Sequence, residues 1–154
     1  MNKKQFDILN DYFLHSLLHL ISQEEQCLRR IGSPDLSIRE LHVIEAAASL
    51  QSGNRSTMAE IARYLHLSPA SLTTAVNVLV KKGYLDREYS PEDRRVIHVR
   101  LTEKGESANR TYLDFVRNML CEVGKDLDET VADQMIETLL RLSDYLDHAL
   151  EEEK

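Results

Sequence analysis

TMAEIARYLHLSPASLTTAVNVLVKKG at 57–83, continued by YLDREYSPEDRRVIHVRLT at 84–102, is the stretch on which the fold turns. Thr57 with Glu60 reads as a capping box, and Met58, Ile61, Ala62 and Leu65 then share one helical face. His66 and Leu67 make a turn. Ser68 is suited to cap a second helix whose first position is Pro69, where the missing amide costs nothing. Leu72, Val76 and Leu79 recur at helical spacing and face inward, flanked by Val80. The opposite face presents Thr74, Asn77 and Lys81, with Ser71 and Thr73 at its edges and Val78 among them. Gly83 suits the C-terminal cap, behind the cationic pair Lys81 and Lys82.

Past Gly83 the apolar period falls from about 3.6 to about two. Tyr84 and Leu85 enter a first strand, and Val96–Leu101 alternates as a second. Between them Ser90-Pro91-Glu92-Asp93 is turn chemistry that delivers Arg94 and Arg95 to a hairpin tip. Two short helices, the second with small polar side chains outward, followed by a basic hairpin, form a winged helix-turn-helix. Such a pair enters the DNA major groove, and the hairpin reaches an adjacent groove. The expected DNA-binding set is Thr57, Ser68, Ser71, Thr73, Thr74, Asn77, Lys81, Lys82, Arg94 and Arg95. Asn77 suits bidentate contact with adenine and Thr74 a thymine methyl or base edge, whereas Lys81 and Lys82 suit the phosphate backbone.

These residues closely resemble the MarR family of bacterial transcription regulators. The resemblance rests on Asp93-x-Arg95, five further residues and then Leu101-Thr102, together with the Leu-Val-Lys-Lys-Gly-Tyr run at 79–84. Val78 departs from it, standing where many relatives carry a polar or basic residue. The resemblance implies a mostly α chain with a small antiparallel β-wing, in which Asp93 orients the wing. It further implies terminal helices that intertwine into a homodimer. Within one domain spanning 1–154, the winged part covers about 37–104 and the dimerisation helices about 3–31 and 103–152. The runs at 40–45 and 71–84 also resemble the fatty-acid-synthesis repressors of the family, the FabT branch, which are associated with acyl chains on acyl carrier protein. The implied partners are double-stranded DNA, a second copy of the chain, and an unidentified small-molecule or acyl-carrier effector.

The net charge of −7 divides unevenly along the chain. Residues 55–104 hold nine Lys/Arg against six Asp/Glu, while the remainder holds ten against twenty. A basic lobe on an acidic body fits a protein of which only one part meets DNA. The body reads as amphipathic helices. Phe6, Leu9, Phe13, Leu17, Leu20 and Leu28 mark a first helix through about Arg30. Ser37-x-x-Glu40 opens a second, Leu113 to Val123 stripe a third that Gly124 helps to end, and Val131 to Leu150 a last. Phe6, Leu9, Phe13, Leu139, Leu142 and Leu146 are the expected dimerisation residues.

His15 and His19 stand i, i+4 as a metal pair would, and Glu24, Cys27 and His42 are further weak metal candidates. Zinc sensors that resemble this chain add histidines from the helix after the wing, where this chain has Asn109, Arg110 and Tyr112. The expectation is therefore no metal and no cofactor. Cys27 and Cys121 form no redox motif and read as free thiols of a reducing, cytoplasmic setting. No apolar run approaches the ~18 residues of a spanning helix, so no membrane is expected. No Gly-x-Ser-x-Gly, His-Glu-x-x-His or Walker pattern is present, which argues against an enzyme. The competing class is a winged helix that docks protein rather than DNA, against which the polar face beside two arginines speaks.

Overall fold

The computed structural model describes every residue except 17, 18, 20, 21, 27, 28, 30, 31, 33, 52, 54, 91, 92, 94 and 152–154. Leu17, Leu20, Cys27, Leu28, Pro91, Glu92 and Arg94, all named above, therefore lie outside the described residues. The elements are α1 Lys3–Asp11, α2 Ile38–Gln51, α3 Met58–Tyr64, α4 Pro69–Lys81, β1 Leu85–Tyr89, β2 Ile97–Leu101, α5 Glu103–Gly124 and α6 Glu129–Glu151. The chain forms two compact units, Met1–Phe115 and Val116–Lys154, and α5 runs across their boundary. The protein is mostly α with a small antiparallel wing.

In the first unit, α1 opens on an Asn2 capping box with Gln5. Its α-helical bonding gives way after Asp11, where the Tyr12 amide is shared between the carbonyls of Ile8 and Leu9. A π-helical turn, Tyr12–Ser16, follows, and residues 22–26 are helical again. None of α1 is buried.

The core lies beneath α2, α3 and α4. Leu36, Leu41, Ile44, Ile61, Leu72, Leu79 and Leu85 are its largest fully buried side chains. Ser37 and Glu40 form the expected box at the start of α2: the Ser37 amide donates to the Glu40 carboxylate at 2.8 Å and the Glu40 amide to the Ser37 hydroxyl at 3.3 Å. At α3 only half of the expected box is made. The Glu60 amide donates to Thr57 Oγ1 at 3.2 Å, but the Glu60 carboxylate turns to Arg63.

Both helices of the helix-turn-helix end in the same hydrogen-bonded motif. His66 and Leu67 donate to the carbonyls of Arg63 and Ala62, and Gly83 and Tyr84 to those of Val80 and Leu79. The pivot residue is left-handed each time, with φ of 51° at His66 and 76° at Gly83. At Gly83 the conformation is unstrained; at His66 a Cβ has to tolerate it.

β1 and β2 pair antiparallel, with Leu85 opposite Leu101 and Tyr89 opposite Ile97. Val99 also donates to the Ser56 carbonyl at 2.8 Å and His98 bridges to Thr57, so the wing root is stitched to the entry of α3. In the second unit, no described residue of α6 is buried. No helix among the described residues is long and apolar enough to cross a membrane.

Candidate nucleic-acid interface

Pro69 at the first helical position and Ser68 as its cap start α4, the Ser68 hydroxyl accepting from the Ser71 amide at 3.1 Å. Burial of Leu72, Val76 and Leu79 then fixes the rotation of the helix about its axis. It leaves Ser71, Thr73, Thr74, Asn77 and Lys81 exposed along one side, with Val78 38 % exposed among them. Thr73 and Thr74 donate their hydroxyls to the carbonyls of Pro69 and Ala70 at 2.7 and 3.1 Å. Their donors are thus committed to the helix, while their methyls and hydroxyl lone pairs face solvent. The face offers acceptors, methyls and one amide, the vocabulary of base edges in a major groove.

At the wing, the Asp93 carboxylate accepts from the backbone amide of Arg95 at 2.9 Å, and the Asp93 carbonyl from the amide of Val96 at 2.9 Å. Asp93 therefore shapes the tip through Arg95's backbone. Arg95 is exposed and makes no ion pair among the described residues; Arg94 lies outside them. Further down the strands Arg100 pairs with Glu88 at 3.0 Å.

Two expected DNA ligands are engaged elsewhere. Thr57 is half-buried, caps α3 and bridges to His98. Lys82 turns inward, its ammonium donating to the Asp35 carbonyl at 2.5 Å and to Glu40 at 2.7 Å. Lys81, one residue earlier, stays exposed. The Lys82 pairing belongs to a cluster that sequence reasoning did not find. Tyr84 donates its hydroxyl to Asp35 at 2.6 Å, and Lys104 lies 3.9 Å from the Tyr84 ring centroid and 3.6 Å from Asp35. The Tyr84 bond and the cationic neighbours Lys104 and Lys82 hold the Asp35 carboxyl below its ordinary value against the cost of burial. Burial pushes Glu40 up, but its bonds from Lys82 and Ser37 outweigh that and leave it lowered. Burial and the Asp35 carboxylate push the Tyr84 phenol well up.

A cleft of about 550 Å³ lies between the first turn of α2 and the outer edge of α4, lined by Arg39, His42, Leu65, Leu67, Ser71 and Thr74. From its floor His42 Nε2 bonds the Tyr112 hydroxyl at 3.0 Å, and burial with Glu24 and Glu45 nearby pushes that phenol up to about 12. Of the metal candidates, His15 is exposed in the π-helical turn and His19 bonds Gln23, while His42 and Glu24 both lie near Tyr112 and Cys27 is outside the described residues. No group of three metal-binding side chains occurs among the described residues.

A model described as the MarR family matches residues 35–96, which contain α2 to α4 and the first strand of this wing. Over those residues the chain is similar to the MarR family. Over 140 residues, 91 % of this chain and 77 % of the relative, it is 26 % identical to the transcriptional repressor MprA of Escherichia coli K12. Among solved structures it is similar to Streptococcus pneumoniae FabT in complex with DNA, with a TM-score of 0.80, 28 % identity, and coverage of 94 % of this chain and 99 % of that one. A mutant MarR from E. coli complexed with operator DNA shares the fold, with a TM-score of 0.61, 24 % identity, and coverage of 84 % and 92 %. The winged helix-turn-helix, similar to that of the MarR family, is a DNA-binding element, and the protein is a transcription regulator, not an enzyme.

Proposed function

We propose that this MarR-like protein is a cytoplasmic homodimeric repressor that occupies a pseudo-palindromic operator under the control of an effector. Each subunit lays α4 in the major groove of one half-site, with Asn77 and Thr74 on base edges, Ser71 and Thr73 shared between bases and phosphates, and Lys81 on the backbone. Arg95 enters the flanking minor groove. The observation that carries this reading is the polar, fully presented face of α4 beside the Asp93-shaped wing tip.

The dimer is supported by bare apolar surface. Phe6, Leu9 and Phe13 on α1 and its following turn are 47–55 % exposed, and Leu139 and Leu146 on α6 are 55 % and 52 % exposed. Contiguous apolar faces of that kind mark an association surface. The effector is a small molecule or an acyl chain presented by acyl carrier protein, a reading that rests on the likeness to FabT.

Sequencing the duplexes that the purified protein retains from a random pool tests the whole, with sedimentation of the same sample. A two-fold symmetric motif bound by a species of twice the chain mass is expected. An unselective pool, or a monomer that selects a single half-site, would overturn it. Adding long-chain acyl carrier protein to the selected duplex then tests the effector: unaltered affinity removes the acyl reading and leaves a small molecule.

A further inference from the structure

Six side chains from three stretches of the sequence, 35–40, 82–84 and 102–104, meet where α4 ends and the wing begins. Lys82, the last residue of the recognition segment, reaches back to the Asp35 carbonyl and to Glu40 in the first turn of α2. Tyr84, at the head of β1, is buried and donates to the Asp35 carboxylate. Lys104, in the first turn of α5, covers the Tyr84 ring and donates to the Lys82 carbonyl at 3.0 Å. The Thr102 hydroxyl adds a bond to the Gly83 carbonyl at 2.7 Å. The Lys82 ammonium, the Tyr84 hydroxyl and the carbonyls of residues 82–84 thus all have partners among residues 35–40 and 102–104.

Lys82 is where sequence places a phosphate ligand, yet its side chain is only 29 % exposed and its partner Glu40 14 %. Drawing that ammonium out to a phosphate would strand the Glu40 carboxylate in a half-buried site and open the Asp35 carbonyl, both of which cost free energy. The C-terminal end of α4 is the pivot between the two DNA-facing parts, with bases read ahead of it and the wing hung behind it.

We propose that Lys82 is a positioning residue: with Asp35, Glu40, Tyr84 and Lys104 it clamps the end of the recognition helix to α2 and the wing root, and so sets the angle between helix and wing. The proposal rests on the DNA-binding reading above and makes a claim of its own. A phosphate ligand contributes equally to every duplex and to the salt dependence of binding. A clamp leaves the number of neutralised phosphates alone and acts on selectivity, because only the correct site needs helix and wing in register.

Lys82→Met, Glu40→Gln and Tyr84→Phe decide between the two. Affinities are measured at several salt concentrations for the selected operator and for a duplex of scrambled sequence. The clamp predicts that all three lower the ratio of operator to scrambled affinity, Lys82→Met by roughly tenfold, the scale of one lost base contact. It also predicts a salt slope for Lys82→Met equal to that of wild type. Tyr84→Phe matters because its hydroxyl is spent on Asp35 and removes no charge. A second readout needs no DNA: amide exchange at Gly83 and Tyr84 quickens in the free Lys82→Met protein. The proposal is overturned if Lys82→Met weakens both duplexes equally and lowers the slope by about one unit. It is equally overturned if Glu40→Gln strengthens operator binding without loss of selectivity, or if amide exchange at 83–84 stays at the wild-type rate. Failure of wild type to prefer any duplex would instead count against the DNA-binding reading, while the exchange measurement still decides the clamp.

Discussion

Arg95 and Asp93 divide one task at the wing tip. The Asp93 carboxylate is spent on the Arg95 amide, so the guanidinium is left to reach outward. In a narrow A·T-rich minor groove, where negative potential is concentrated, that cation gains most. Arg95→Ala is expected to weaken operator binding by about 1–3 kcal/mol, read by titration at physiological salt, and unchanged affinity would remove Arg95 from the interface. On α4, Asn77→Ala should relax the preference at one operator position in a repeated selection while leaving the salt slope alone; an unaltered site profile would count against base reading by Asn77. The outward position of Asn77 and its neighbours was legible from sequence because helical period alone decides which side chains of α4 face out. The destination of Lys82 was not legible. Its partners lie 42 and 47 residues away, and nothing local distinguishes an inward lysine from its exposed neighbour Lys81.

At the scale of elements, local chemistry was again the readable part. The Ser37–Glu40 box, Pro69 at the start of α4 and Gly83 at its end all fall where sequence puts them. The left-handed His66 and the π-helical turn after α1 were hidden, since each depends on how the chain continues rather than on residue type. Contacts across 49 and 70 residues, Tyr84 with Asp35 and His42 with Tyr112, carry no sequence signal.

The docking of α5 on the wing root makes a sharp demand at Gly105, where an added Cβ would stand 2.1 Å from the Tyr84 carbonyl oxygen. Backbone cannot yield as a flexible side chain does. Gly105→Ala should therefore cost about 1–3 kcal/mol of stability in urea unfolding, and a wild-type midpoint would mean that the helix shifts freely. The clamp also has a pH signature. Asp35 and Glu40 have folded values below their unfolded ones, so they stabilise the fold above the ordinary carboxylate range of about 4 and that contribution fades as pH falls through the folded values. Between pH 6 and 2 the unfolding midpoint of wild type should fall further than that of Glu40→Gln; parallel curves would show that the Glu40 pair is inert.

For the whole molecule, DNA imposes a length. In the proposed dimer, two half-sites one helical turn apart lie roughly 34–36 Å from each other, so two copies of α4 would be held at that separation. On the proposed dimeric reading the winged part is too small to set it, and the task falls to the terminal helices. Leu139 and Leu146 are each more than half exposed in the single chain, whereas Leu142 is half-buried. Leu139 is therefore the cleaner probe of association, because a charge there disturbs little inside one subunit. A charge buried at a subunit interface without a partner is strongly destabilising. Leu139→Asp is expected to yield a monomer whose winged part keeps its fold and its weak, salt-sensitive affinity for any duplex. Operator binding should fall by a hundredfold or more, on the order of 3 kcal/mol, as one half-site is read alone. Sedimentation with operator titration of the same preparation is decisive: a Leu139→Asp monomer that binds the operator as tightly as wild type would separate DNA reading from dimerisation altogether.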